Sequence, residues 1–139
     1  MTETPYYNRQ AAAIPIRAGQ VCLVTSSSGK RWVIPKGMIE PGTTAGQIAL
    51  QEAWEEAGLV GVLHSEPVGT YLYDKWGGTY FVTVFVMEVT NEAPLWPEQN
   101  VRQREWIGTA EALERLGDEG LREIVRAVAE RCFPDQLTV

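Results

Sequence analysis

Glu52, Glu55 and Glu56 stand at i, i+3 and i+4 in a run of helix-forming residues, so at 3.6 residues per turn three carboxylates fall on one helix face. Leu50, Ala53, Trp54 and Ala57 lie mostly on the other side. Acids near a helix C-terminus oppose the macrodipole, and like charges about 5 Å apart repel by roughly 3 kcal/mol at an effective dielectric of about 20. Two arrangements offset that cost. One is a solvated acidic face. The other is a site for a hard divalent cation, which prefers oxygen ligands and keeps waters and substrate phosphates in its shell.

The elements that must position these acids follow from the surrounding pattern. Thr43 and Thr44 both offer N-cap oxygens to a helix over Ala45–Ala57, and Gly58 sits where a C-terminal glycine belongs. Upstream, residues 10–17 and 20–26 read as strands around Gly19, and residues 31–34 as a third strand halted by Pro35, with a loop over residues 26–30. Downstream, residues 62–73 and 79–89 flank the turn 74–78 and suggest a hairpin. In its second arm both alternating sets are apolar, as in a strand covered on both faces, which requires helices on both sides of a sheet. Leu121, Ile124, Val125, Val128 and Cys132 recur at helical spacing behind Asp118, a suitable N-cap, and supply one of those helices. The expected class is α+β, in a single domain over residues 1–139 with no internal repeat or linker.

Composition narrows the partners. Of 139 residues 45% are apolar and 22% charged, a balance that excludes disordered and low-complexity chains. Twelve basic against 18 acidic side chains give a net charge of -6, unlike the cationic surface of a sequence-independent nucleic-acid binder. The asymmetry matters more: residues 1–36 carry Arg9, Arg17, Lys30, Arg31 and Lys36 against Glu3 alone, a local +4 that leaves -10 for the rest. The longest apolar stretch, residues 80–87, falls short of the roughly 20 residues of a membrane helix, and the opening MTETPYYNRQ lacks the marks of an export signal. A cytoplasmic protein without membrane or nucleic-acid partners is the expectation, with Cys22 and Cys132 as buried thiols.

Gly37-x-x-x-x-Gly42-Thr43-Thr44 imitates a phosphate-binding P-loop, but Thr43 occupies the lysine position and the preceding strand ends at a proline. A different motif fits. The segment 37–59, GMIEPGTTAGQIALQEAWEEAGL, resembles the box of the Nudix hydrolases: Gly, five residues, Glu, seven residues, Arg-Glu, an apolar residue, any residue, Glu-Glu, any residue, Gly and an apolar residue. Gly37, Glu52, Ala53, Glu55, Glu56, Gly58 and Leu59 fall on their positions. Thr43 stands where the first Glu belongs and Gln51 replaces the Arg, which removes a cation at i-4 from Glu55, although Gln51 can still donate a hydrogen bond to it. With the three glutamates kept, the departures imply slower or more selective catalysis rather than none.

Resemblance extends over residues 9–116. The AAA after Arg9, the Ser-Ser-Ser loop, RWVIPKG, the apolar TYFVTVFVMEV strand and RQREW are similar to the diphosphoinositol polyphosphate and diadenosine polyphosphate phosphohydrolase branch of that family. The resemblance implies a Nudix-type α/β/α sandwich with a mixed, curled sheet. It further implies a metal-dependent hydrolase that cleaves phosphoanhydride bonds in small, densely anionic substrates, as a monomer or homodimer. Glu52, Glu55 and Glu56 would be catalytic, with Mg2+ or alternatively Mn2+ held by Glu52, Glu56 and the Gly37 carbonyl. Arg9, Ser27, Arg31 and Lys36 would lie around the polyphosphate; ordinary surface charge and a Ser-rich turn are their plain alternatives.

The runner-up activities are a nucleoside triphosphate or ADP-sugar pyrophosphohydrolase, and a catalytically silent binding module with the same fold. A tyrosine 16 to 18 residues beyond the box and a proline about 15 beyond, markers of two nucleotide subclasses, are both absent. Tyr71, Tyr73 and Trp76 are near enough to stack on an adenine or simply to pack. In residues 95–106, Glu98 and Glu105 are candidates for a further metal ligand or base and Arg102 and Arg104 for phosphate contacts, against a plain surface strand. His64, the lone histidine, has no partner motif.

Overall fold

The computed structural model describes residues 7–134. Eight strands, β1 (Asn8–Arg17), β2 (Gln20–Thr25), β3 (Trp32–Val33), β4 (Lys36–Met38), β5 (Leu59–Leu63), β6 (Gly69–Lys75), β7 (Gly78–Glu92) and β8 (Arg104–Ile107), join in one mixed sheet. Three helices, α1 (Ala45–Ala57), α2 (Thr109–Arg115) and α3 (Glu119–Cys132), cover it. The sheet runs β3-β2-β1-β7-β5, with β4 beside β1, β6 beside β7 and β8 beside β2. Only β1 and β7 are parallel, from Asn8 opposite Tyr80 to Ile16 opposite Glu88. They form the spine.

Because side chains alternate along a strand, this spine feeds two cores. Ala11 and Ala13 of β1 and Phe85 and Met87 of β7 pack with Ile48, Ala49, Ala53 and Ala57 of α1. Ala12, Ile14, Val82, Val84 and Val86 face Ala112 of α2 and Leu121, Ile124, Val125 and Val128 of α3. Helices on both faces are what the doubly apolar strand demanded. Alanines on both sides of the first interface let α1 lie close to the sheet.

The expected hairpin is only half right. Its first arm is two strands, β5 and β6, both antiparallel to β7, which at 15 residues is long enough to carry both along one edge. Pro67 lies in the break; a proline cannot donate to a ladder. Residues 31–34 likewise form a shorter strand than expected. After Pro35 the chain crosses from β2 to β1 as β4, placing Gly37 opposite Ala11 and Lys36 opposite Ala12. Nothing in a run as short as KGM announces a strand; its partner decides it.

α1 begins and ends as its residue types dictate. Thr44, not Thr43, caps it: Gln47 N–H donates to Thr44 Oγ1 at 3.1 Å and Thr44 N–H to Gln47 Oε1 at 2.8 Å, a capping box. Thr43 instead ties the approach, its hydroxyl donating to the Glu40 carbonyl at 2.6 Å. Gly58 closes the helix at φ 66°. Cys22 is fully buried, and burial pushes its thiol up to about 12. Cys132 corrects the expectation, since it is only partly buried at the end of α3, where the amphipathic stripe meets solvent. No helix of the described residues is long and apolar enough to cross a membrane.

Candidate active site

The site is assembled where the last turn of α1 meets β4. Gly37 has no side chain, and the Glu52 side chain fills that space: a Cβ on Gly37 would lie 2.8 Å from Glu52 Cγ and would overlap its carboxylate. One turn on, Glu56 is 6% exposed and accepts from the Lys36 N–H at 3.4 Å. Its other oxygen is 3.5 Å from an Arg102 nitrogen. Glu55 accepts from the Gln51 amide at 3.3 Å, the bond that substitution in the box still permits. So the box spacing places the three acids together on the last turns of α1, with Glu52 against Gly37 and Glu56 against the Lys36 backbone.

Their environment is hostile to charge. Burial, then Glu56 and Glu55, raise Glu52 to about 8. Burial raises Glu56 to about 7, with Glu98 adding to the rise and Arg102 and Lys36 opposing it. Among the described residues no three His, Cys, Asp or Glu side chains form a closed metal cluster. The clustered carboxylates, with Glu52 lying against Gly37, are instead an open, oxygen-rich arrangement of the kind a hard divalent cation prefers when it keeps waters of its own. Closely spaced, partly desolvated acids are stabilised by such a cation.

A pH dependence follows. Both acids keep protons in the folded state that the unfolded chain releases above about 4.5, so they favour folding most at low pH and that contribution is lost as pH rises toward 7 and 8. In a chelating buffer the melting temperature is expected to fall between pH 5 and pH 8, and Mn2+ or Mg2+ to raise it more at pH 8 than at pH 5. An equal metal response at both pH values, in a calorimetric series, would contradict this.

Lys36 links the acids to a cavity of about 710 Å³, whose walls include Lys30, Arg31, Trp32, Lys36, Tyr73, Lys75 and Arg115, with Asp74 and Asp118. Its backbone holds Glu56 while its ammonium lies 5.6 Å from the Tyr73 ring centre. Burial holds that ammonium below its ordinary value, against the pull of Glu56. Of the four residues expected around a polyphosphate, Arg31 and Lys36 thus line one cavity. Arg9 and Ser27 do not line it. Arg9 is exposed with its guanidinium 5.6 Å from the Phe81 ring, and Ser27 sits exposed in the turn framed by Ser26 and Ser28.

The segment before β8 is partly corrected. Glu98 does reach the acid cluster, where it raises both Glu52 and Glu56. Arg102 is engaged by protein groups, at 2.8 Å from Glu98 and 2.9 Å from the Thr25 carbonyl. Arg104 is bound to the Ala57 carbonyl at 2.8 Å and to Glu92 at 3.2 Å, not presented to a ligand. Glu105 lies elsewhere, paired with Arg115 at 2.8 Å, because alternation along β8 turns it away from Arg104. Lys75 and Arg115 carry no sequence signal for this cavity, and Lys30 only that of the basic segment 1–36: the three come from a hairpin, α2 and a loop, and no spacing relates them. Tyr71 is core, Tyr73 stacks on Tyr80 with ring centres 5.0 Å apart, and Trp76 is 82% exposed at the hairpin tip. His64 bonds Glu88 at 3.1 Å.

The NUDIX domain profile matches residues 7–128, nearly the whole described chain. The protein belongs to the Nudix family. Among curated Nudix proteins, it is 34% identical over 125 residues to Nudix hydrolase 13, mitochondrial, of Arabidopsis thaliana, covering 80% of this chain and 62% of that one. Human diphosphoinositol polyphosphate phosphohydrolase 3-beta is 34% identical over 119 residues, covering 79% of this chain and 70% of that one. The chain therefore spans less than two thirds of the length of the first of these relatives. The Nudix fold itself is matched by the crystal structure of a Caenorhabditis elegans Ap4A hydrolase, with a TM-score of 0.75 at 19% identity over 91% of this chain and 98% of that one. A NUDIX hydrolase from Nitrosomonas europaea matches at a TM-score of 0.78 and 18% identity, covering 91% and 90%.

Proposed function

We propose that this Nudix domain is a metal-dependent hydrolase of phosphoanhydride bonds in anionic polyphosphates, acting on diadenosine polyphosphates or diphosphoinositol polyphosphates. The observation that carries the reading is Lys36, whose backbone holds the buried acid Glu56 while its side chain enters a cavity ringed by Lys30, Arg31 and Lys75. An acid cluster suited to a cation and a cationic pocket suited to a polyanion share one residue. The similarity to the human phosphohydrolase supports the substrate class.

Glu52, Glu56 and the Gly37 carbonyl would hold the ion, Mg2+ first and Mn2+ second. When bound, it supplies Lewis-acid polarisation of the phosphate and a more acidic water. The protein's own groups do the rest. Arg31 and Lys36 hold the phosphate chain, spreading positive charge over the oxygens of a loose transition state. Glu55 or Glu56 accepts the proton of the attacking water, and α1 keeps all three acids on a rigid element.

The test is turnover, with Mg2+ and with chelator, on diadenosine tetra- to hexaphosphates, a diphosphoinositol polyphosphate, ADP-ribose and nucleoside triphosphates. Arg31→Ala is expected to raise KM about tenfold with kcat within about twofold, the signature of a lost binding contact. Best cleavage of nucleoside triphosphates or ADP-ribose would replace the substrate class. Tight binding without turnover on any member would make this a binding module, with Thr43 and Gln51 as its marks.

A further inference from the structure

The last four carbonyls of a helix have no partner within it, and in α1 two of the four belong to Glu55 and Glu56. All four are nonetheless bonded. The Gly58 N–H takes the Trp54 carbonyl at 2.9 Å, the local turn that ends the helix. The other three are met by one distant segment: Glu98 N–H donates to the Glu55 carbonyl at 3.0 Å, Trp96 Nε1 to the Glu56 carbonyl at 2.9 Å, and an Arg104 nitrogen to the Ala57 carbonyl at 2.8 Å.

Electrostatics and packing agree with this arrangement. The last turn of α1 contains no basic residue, so the Arg104 guanidinium supplies from outside the cation that a helix C-terminus favours. Arg104 is held in turn at 4.0 Å from the Trp96 ring centre and by Glu92. Gly58 makes the close approach possible, since a Cβ there would stand 2.7 Å from Trp96 Cβ and 2.8 Å from Arg104 Nη1. A final turn bearing two of the three clustered acids would otherwise fray first.

We propose that Trp96 and Arg104 are positioning residues for the reaction: they hold the carbonyls of Glu56 and Ala57 from outside the helix, next to the Glu98 N–H on Glu55, and so set where the carboxylates of that last turn stand. The role rests on the hydrolase reading above. Neither side chain lines the cavity shared by Lys36 and Arg31; both act through the acids, and a misplacement of about 1 Å is enough to cost about a hundredfold in rate.

The experiment compares wild type, Arg104→Met, Arg104→Lys and Trp96→Phe, measuring kcat and KM on diadenosine tetraphosphate and, without substrate, Mn2+ affinity by electron paramagnetic resonance. Arg104→Met is expected to lower kcat about tenfold and weaken Mn2+ binding about fivefold with KM within about twofold, since the carboxylates are displaced while the cavity is intact. Arg104→Lys, which keeps a charged donor, recovers most of both losses. Trp96→Phe replaces the indole with a smaller phenyl ring and removes its N–H, and shifts both readouts in the same direction by a smaller factor; it serves if Arg104→Met does not fold. Unchanged kcat and Mn2+ affinity in folded variants, with only a lower melting temperature, would reduce the pair to a structural staple and overturn the proposal. A raised KM with kcat held would overturn it in favour of substrate binding. If wild type binds Mn2+ but cleaves nothing, the hydrolase reading fails, and the Mn2+ arm alone decides whether Trp96 and Arg104 place the acids.

Discussion

Glu56→Gln is expected to lower kcat by about a thousandfold while the protein remains folded, the range seen when a positioned acid or base is removed. The amide keeps the size of the side chain in a site that is 6% exposed, so packing is conserved. It can still accept from the Lys36 N–H, although the Arg102 contact loses its ionic partner. What disappears is the proposed anionic oxygen ligand and a candidate proton acceptor at once. Loss of the buried charge also removes the largest of the charge repulsions on Glu52, so the variant should gain less thermal stability from Mn2+ than wild type does. Retained turnover, or an unaltered Mn2+-induced rise in melting temperature, would take Glu56 out of the mechanism.

Gly37→Ala is expected to have the next largest effect, about a hundredfold on kcat, by a different route. Gly37 has no positive φ to explain it; what excludes a side chain is the Glu52 carboxylate lying against its Cα. An added methyl must push that carboxylate aside or separate β4 from β1, whose pairing sets Gly37 opposite Ala11. Either way the packing of Glu52 against Gly37 is lost while every acid is still present. Weakened Mn2+ binding with an intact circular dichroism spectrum would establish this. Full activity in Gly37→Ala would show that the contact is incidental.

Legibility in the sequence tracked the range of the interaction. The carboxylate triplet, the threonine cap and the terminal glycine of α1 depend on residues within one or two turns, and each is visible as a type at a spacing. The doubly apolar run over residues 79–89 foretold helices on both faces because burial leaves a compositional trace. The division of residues 62–73 into β5 and β6 left no such trace, since both pieces satisfy the same long partner.

The roles of single charges were the least legible. Arg102, Arg104 and Glu105 sit within four residues, yet Arg102, in the segment before β8, meets Glu56 and Glu98, Arg104 meets the end of α1, and Glu105, on the opposite face of β8 from Arg104, meets Arg115. Lys36 and Arg31 share a cavity with Lys30, Lys75 and Arg115 only because β3, β6 and α2 converge there.

By itself the sequence determined the family, the helix that carries the acids and the glycines that bound it, because local hydrogen bonding, periodicity and backbone sterics act between near neighbours. Only the tertiary structure decided which cations answer those acids, which segment closes the helix and where the cavity opens, because charge and hydrogen-bond partners depend on proximity in space rather than on position along the chain.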